Sequence, residues 1–364
     1  MKGCTVRARF HPLLGVPLLM SVIACSGGGG SAPTPSGPAG GPQGPPIAIA
    51  SSSPTPSPTP TPTLPPPVLT QGRVVDLPYD GTPTNPGVSV VNDSPAPTGA
   101  AIANASVYIG PRPVGGSTTP VGVPAGFQAA LTDANGVFTF ANAPLGRSVI
   151  TIFGSAGYLA ILHQDATIAA TSSSLPTYYL SKPTLSENGF LALINADRVK
   201  YSVKPLVLDE ALMEAGRYWA QFMAKNQYFA HCIPASLCTP GSTTPNPAAY
   251  TPHDLTPTAR ATYFHEYSQI GNGENLAAGF TDYTSAEAAF MSESQYCPNG
   301  NPVGCAFTEQ NGHFINITNP GYAFGGVGMA IDPVMNYPYY DEEFGALYSG
   351  GLATYLQYVP GLRK

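Results

Sequence analysis

Two periodicities divide this chain. From about Leu69 to Lys182, apolar residues come in short runs broken by Pro and Gly, with no helical repeat. Val74-Val75, Ser106-Val107-Tyr108-Ile109, Val137-Phe138-Thr139-Phe140 and Val149-Ile150-Thr151-Ile152 predict short strands. Thr132-Asp133-Ala134-Asn135-Gly136 predicts a tight turn, since Asn-Gly tolerates positive φ, and Pro144-Leu145-Gly146 marks the next connection. Together they predict a small β-sandwich. After Pro183 the period lengthens. Ser186 is the expected N-cap of a helix from Glu187 to about Lys200, with Phe190, Leu193, Ile194 and Asp197 on adjoining faces. Asp209 is expected to cap a second helix reaching about Gln227. Its stripe of Leu212, Ala215, Trp219, Phe222 and Met223 predicts a core face. A short helix near Ser285 should carry Ala289, Phe290 and Glu293. Strands are expected at His313–Thr318, Gly326–Ile331 and Leu352–Tyr358. Helices early and strands late predict an α+β fold, so the whole chain reads as multidomain.

The N-terminus departs from both patterns. Lys2, Arg7 and Arg9 precede a short apolar stretch, Leu13 to Ile23, too short to span a bilayer. It ends in Val22-Ile23-Ala24-Cys25, which resembles a bacterial lipobox. That resemblance implies a signal peptide over 1–24, cleavage before Cys25 and lipidation there. The plainer alternative is an ordinary signal peptide with a chance cysteine. Ser26 at the next position implies outer-membrane sorting if the host is Gram-negative. From 25 to 68 the chain is mostly Gly, Ser, Thr and Pro, with few large apolar residues and no charged residue, a composition that cannot offset its ordering entropy. We expect a disordered linker, extended where the Pro-Thr run favours polyproline II.

Charge and cysteines narrow the partners. Fifteen basic and 21 acidic residues give a net charge of −6, with no basic cluster, so nucleic acid is not an expected partner. Of six cysteines, Cys4 and Cys25 fall in the signal region. Cys232, Cys238, Cys297 and Cys305 remain; an even number in an exported chain predicts two disulfides, and the two local pairs are favoured. A zinc site would need tighter clusters.

The candidate chemistry lies in the second half. His231, Glu274, Glu293 and His313 sit in Tyr228-Phe-Ala-His231, Gly273-Glu274-Asn275-Leu276-Ala277, Phe290-x-x-Glu293 and Gly312-His313-Phe314-x-Asn316-Ile317. With Asn195-x-x-Arg198, Pro205-Leu206, Asp209-x-x-Leu212 and Gly326-Val-Gly328, these contexts resemble the CAP superfamily of cysteine-rich secretory, antigen 5 and pathogenesis-related 1 proteins. The resemblance covers about Leu185 to Tyr358, with Phe290 where the family has Trp. It implies a three-layer α-β-α sandwich over 183–364 whose cleft holds the two His and two Glu. The longer segments from His231 to Glu274 and from Glu293 to His313 are expected to rim that cleft. Separately, Asp133–Phe140, Ala143–Gly146 and Gly157-Tyr158 resemble a carboxypeptidase-regulatory-like domain over 69–182, a spacer that supplies no catalytic residue.

Two imidazoles can ligate Zn²⁺ or a similar ion, so His231 and His313 are the expected metal ligands. The carboxylates can orient them, complete the shell or act as bases. A purely structural polar network is the other reading. His265-Glu266 lacks the second histidine of a zincin motif, His253-Asp254 is expected to be solvated, and His163 to be surface or packing. No nucleophile elbow, phosphate loop or dinucleotide motif is present. The sequence therefore predicts an exported, membrane-anchored protein that binds an extracellular or envelope ligand. The alternative is a metal-dependent hydrolase of peptides or envelope polymers; catalytic residues are not assigned.

Overall fold

A computed structural model describes residues 7–11, 18–26, 69–77, 99–111, 128–155, 157–169, 173–264, 271–336 and 338–346. Cys4, the linker from 27 to 68, His265-Glu266 and the expected strand Leu352–Tyr358 lie outside the described residues, as does the side chain of His163.

Strands β1 (Arg7–His11) and β2 (Leu18–Ser26) belong to a sheet described below. Residues 70–180 form two further sheets from β3 (Thr70–Asp76), β4 (Ser106–Pro111), β5 (Gln128–Leu131), β6 (Val137–Phe140), β7 (Gly146–Phe153), β8 (Ala160–Ile168) and β9 (Ser173–Leu180). Their orders are β6-β3-β9 and β5-β4-β7-β8. Alternating residues from both sheets, among them Val74, Val107, Phe138, Phe140, Ile150 and Tyr178, share one apolar core. Gly136 sits at φ +74° in the Asn-Gly turn, as expected, and a Cβ there would strike the Val74 carbonyl.

Helix α1 (Leu185–Lys200) begins two residues before the expected start. Thr184, not Ser186, is the N-cap, because Glu187 stands three residues on and completes a capping box. Next come β10 (Val207–Leu208) and α2 (Glu210–Asn226), which Asp209 caps through the N–H groups of Ala211 and Leu212. The other Asp209 oxygen accepts from Leu162 N–H in β8 at 3.0 Å, and Glu210 accepts from Ser181 N–H at 2.7 Å. Arg217 joins Ser181 and Glu187. The start of α2 is thus fastened to the preceding strands.

The rest comprises α3 (Ala235–Cys238), α4 (Pro257–Tyr263), β11 (Gly271–Ala278), α5 (Tyr283–Met291), α6 (Gly312–Ile317), β12 (Tyr322–Ile331) and β13 (Pro338–Ala346). The sheet runs β1-β2-β11-β13-β12-β10. Helices cover both of its faces, and strand alternation decides which side chain meets which. On β11, Leu276 packs with Trp219 and Ala220 of α2, while Ala277 packs with Phe190 and Phe290. Helix α2 lies directly on β12: a Cβ on Gly328 would come within 2.0 Å of the Gly216 carbonyl oxygen. Among the described residues no helix is long and apolar enough to cross a membrane.

The segment expected as a strand at His313–Thr318 is instead α6. Its β-branched residues Ile315, Ile317 and Thr318 suggest a strand, but tertiary bonds override that preference. The Glu293 carboxylate receives the N–H groups of His313 and Phe314 at the helix start, and Thr318 Oγ1 donates to Phe314 O at 2.6 Å. Glu293 itself lies past α5, in a 3-10 turn over Ser292–Tyr296.

Candidate functional site

Each expected site residue is held by a different device. His231 follows α2 in a segment pinned by Trp219 Nε1 donating to Ala230 O at 3.2 Å and by the Cys232–Cys238 disulfide. Glu274 sits on β11. Gly273 before it has no room for a Cβ, which would lie 2.5 Å from the Tyr322 hydroxyl. Asn275 after it accepts from Asn316 at 2.9 Å and donates to Glu342 at 2.8 Å, tying α6 and β13 to the strand. His313 lies in the first turn of α6, its ring stacked on Phe290 at 4.5 Å. Asn311, just before α6, donates to Cys305 Sγ at 3.2 Å, so the Cys297–Cys305 loop abuts this helix. Both disulfides have the expected pairing.

The four residues form two imidazole–carboxylate pairs. His231 Nδ1 meets Glu274 Oε1 at 2.5 Å, and His313 Nδ1 meets Glu293 Oε1 at 2.6 Å. Each carboxylate fixes the proton on Nδ1 and leaves the Nε2 lone pair free. Both Nε2 atoms are buried and have no hydrogen-bond partner among the described residues. The rings lie near enough to influence one another electrostatically. Burial pushes the His231 imidazole below its ordinary value, against the opposing pull of Glu274, so it stays neutral. Burial alone would raise the Glu274 carboxyl. Arg260 and His231 outweigh it and hold Glu274 below the usual carboxylate range.

Arg260, invisible in the sequence, organises one flank. It pairs with Glu274 Oε2, donates to His231 O at 3.1 Å and lies 3.7 Å over the Trp219 ring. The expectation that His253-Asp254 would be solvated is overturned. Asp254 is buried, receives the Tyr218 hydroxyl at 2.6 Å and completes a turn with Thr251. His253 is half-buried and stacks on Tyr263 at 3.9 Å. The long segment after His231 can bury these groups because α4 folds back and brings Arg260 with it.

Behind His313 lies a second acidic group that sequence reasoning missed. Glu342 and Glu287 are buried beside the half-buried Asp197. Burial, then the neighbouring Glu342, push the Glu287 carboxyl well above its ordinary value; burial pushes Glu342 up to about 7. The signal was present: Asp341-Glu342-Glu343 places three acids inside an otherwise apolar strand.

Residues 191–340 match the CAP family model, described as the cysteine-rich secretory protein family. This part of the chain is a CAP domain. An outer surface protein from Borrelia burgdorferi is similar at 15% identity and TM-score 0.30, covering 44% of this chain and 90% of its own. An extracellular protein containing an SCP domain from Bacillus anthracis is similar at 21% identity and TM-score 0.29, covering 46% of each chain. A minor pilin of Streptococcus agalactiae is similar at 18% identity and TM-score 0.22, covering 32% of this chain and 45% of the pilin. No curated protein matches the chain.

Proposed function

We propose that this is an exported, lipid-anchored binding protein of the cell envelope, whose CAP domain holds a divalent metal between His231 and His313. One observation carries the reading: two carboxylate-oriented imidazoles keep buried Nε2 lone pairs with no hydrogen-bond partner. A purely structural network would be expected to satisfy those atoms. Zinc or a similar ion fits a donor set of two neutral imidazoles, with Glu274 and Glu293 setting their orientation. A bound ion would supply Lewis acidity to a ligand's oxygen or nitrogen atom.

The lipobox supports the anchor, and the fold suggests what processing does. Strand β2 pairs with the outer edge of β11, Cys25 opposite Glu274, and packs against α6. Cleavage before Cys25 would remove Leu18–Ala24 and bare that edge beside both histidines. The strands over 70–180 would then act as a spacer between anchor and CAP domain, as the regulatory-like resemblance implies.

The test is zinc calorimetry on the processed protein, with turnover of peptide, ester and glycan substrates followed in parallel. We expect one zinc per chain in the wild type, none in the His231→Ala/His313→Ala double variant, and a folded variant by circular dichroism. Binding should weaken in acid, because protonated imidazole cannot ligate, and at His231 the loss should come below the ordinary histidine value because burial lowers that imidazole. Unchanged zinc affinity in the double variant refutes the site. Zinc-dependent turnover would replace the binding role with the hydrolase.

A further inference from the structure

The strands over 70–180 do not keep their apolar residues to themselves. Val149 and Ile150 are neighbours on β7 and face opposite ways. Ile150 enters the core between the two sheets, whereas Val149 joins Ala160 and Leu162 of β8 in a second buried cluster with Leu212 of α2, Ala261 of α4 and Phe324 of β12. Leu159, just before β8, is buried with Phe190 and Phe290 in the core of the CAP domain. Polar groups close the same junction. Ala160 forms a parallel backbone bridge with Asp209. The Ser181 hydroxyl donates to Glu210 Oε1 at 2.6 Å and accepts from Arg217 Nη1 at 2.6 Å, and Arg217 also donates to Lys182 O at 3.3 Å. Ser181, Glu210 and Arg217 are all buried. A mobile spacer would meet its neighbour through a small, polar and exposed surface, which this is not.

Helix α4 carries the junction to the imidazole site. Ala261 belongs to the shared cluster, and the adjacent Arg260 is buried against Glu274, His231 O and the Trp219 ring. A helix of seven residues does not hold its own position, so packing on its flanks must set it. We infer that the β-sandwich is a positioning element of the CAP cleft: through Leu162 and Ala261 it holds α4 so that Arg260 stays against Glu274, and Glu274 against His231. This goes beyond the spacer role. It does not rest on a bound metal, since Arg260, Glu274 and Trp219 hold one another without one.

Trp219 is the chain's only tryptophan and lies 3.7 Å from the Arg260 guanidinium, so its emission reports where that group sits. The experiment compares full-length wild type, Leu162→Ala and Ile150→Ala in chelator, well below their melting temperatures. Both variants delete the same number of carbon atoms from a fully buried side chain, so both should melt lower. Leu162→Ala should also shift the Trp219 emission maximum by about 3 nm or more, as the cation moves from the ring. The Arg260 guanidinium N–H signals, slowed in exchange by Glu274 and His231 O, should exchange about tenfold faster by nuclear magnetic resonance. Ile150→Ala, on the far side of the same sheet, should leave both signals at their wild-type values. If Leu162→Ala does not fold, the milder Leu162→Val carries the same comparison. Wild-type Trp219 and Arg260 signals in a folded Leu162 variant, or equal changes in Ile150→Ala, overturn the assignment. Because every signal is recorded without metal, failure of the zinc reading would leave these results as expected.

Discussion

Glu342→Gln should stabilise this protein at alkaline pH and do little in acid. Glu342 is fully buried on β13, accepts from Asn275 at 2.8 Å and neighbours Glu287. Burial raises its carboxyl from the ordinary 4.5 to about 7. The folded state therefore holds the proton more tightly than the unfolded chain. Its contribution to stability is fully present below the unfolded value and is lost as pH rises through about 7. Converting the difference between 4.5 and about 7 gives roughly 3 kcal/mol, at about 1.4 kcal/mol per tenfold change in acidity. Glutamine keeps the shape and the acceptor for Asn275 but never ionises. Burial also raises the neighbouring Glu287 carboxyl, and the variant removes the Glu342 charge that adds to that rise.

The assay is urea denaturation of wild type and Glu342→Gln between pH 5 and 8, in chelator so that no cation contributes. Near pH 5 the two should agree within about 1 kcal/mol. By pH 8 the variant should lead by roughly 2–3 kcal/mol, several degrees in melting temperature for a unit of this size. A pH-independent difference, or a variant less stable at pH 8 than at pH 5 relative to wild type, would refute the reasoning.

Three further outcomes are expected. Arg260→Met keeps apolar contact with Trp219 but strands the buried Glu274 charge, so stability should fall by about 3–5 kcal/mol; a loss under 1 kcal/mol in urea melts counts against the pairing. Gly328→Ala puts a methyl against the Gly216 carbonyl and should cost about 1–3 kcal/mol or more by forcing β12 from α2, with tolerance at wild-type melting temperature the contrary result. Cys25→Ser should abolish acylation and membrane partitioning, and intact mass showing an unmodified Cys25 in the native host would sink the anchor.

What the sequence reveals depends on how local the cause is. The Asp209 cap, the α2 stripe and the Asn-Gly turn are readable because neighbours a few residues apart produce them. Thr184 displaces Ser186 for an equally local reason, a Glu at the right spacing. The helix at His313 is not readable, because its first N–H groups are satisfied by Glu293, twenty residues away in sequence. The short motifs bring His231, Glu274, Glu293 and His313 into view, but not which imidazole pairs with which carboxylate. Arg260 has no motif at all. It reaches Glu274 only because α4 folds back beneath the His231 segment, and Asp254 is buried by the same turn.

These pairings give Glu274 a role that its motif alone does not suggest. One of its oxygens orients His231 and the other meets Arg260, while its register partner is the acidic Glu343. A proton or cation arriving at Asp341 or Glu343 lowers the negative potential around Glu274, and so weakens its hold on the His231 proton. Electrostatic attraction between Glu274 and the imidazole raises the basicity of Nε2, the atom left for a metal.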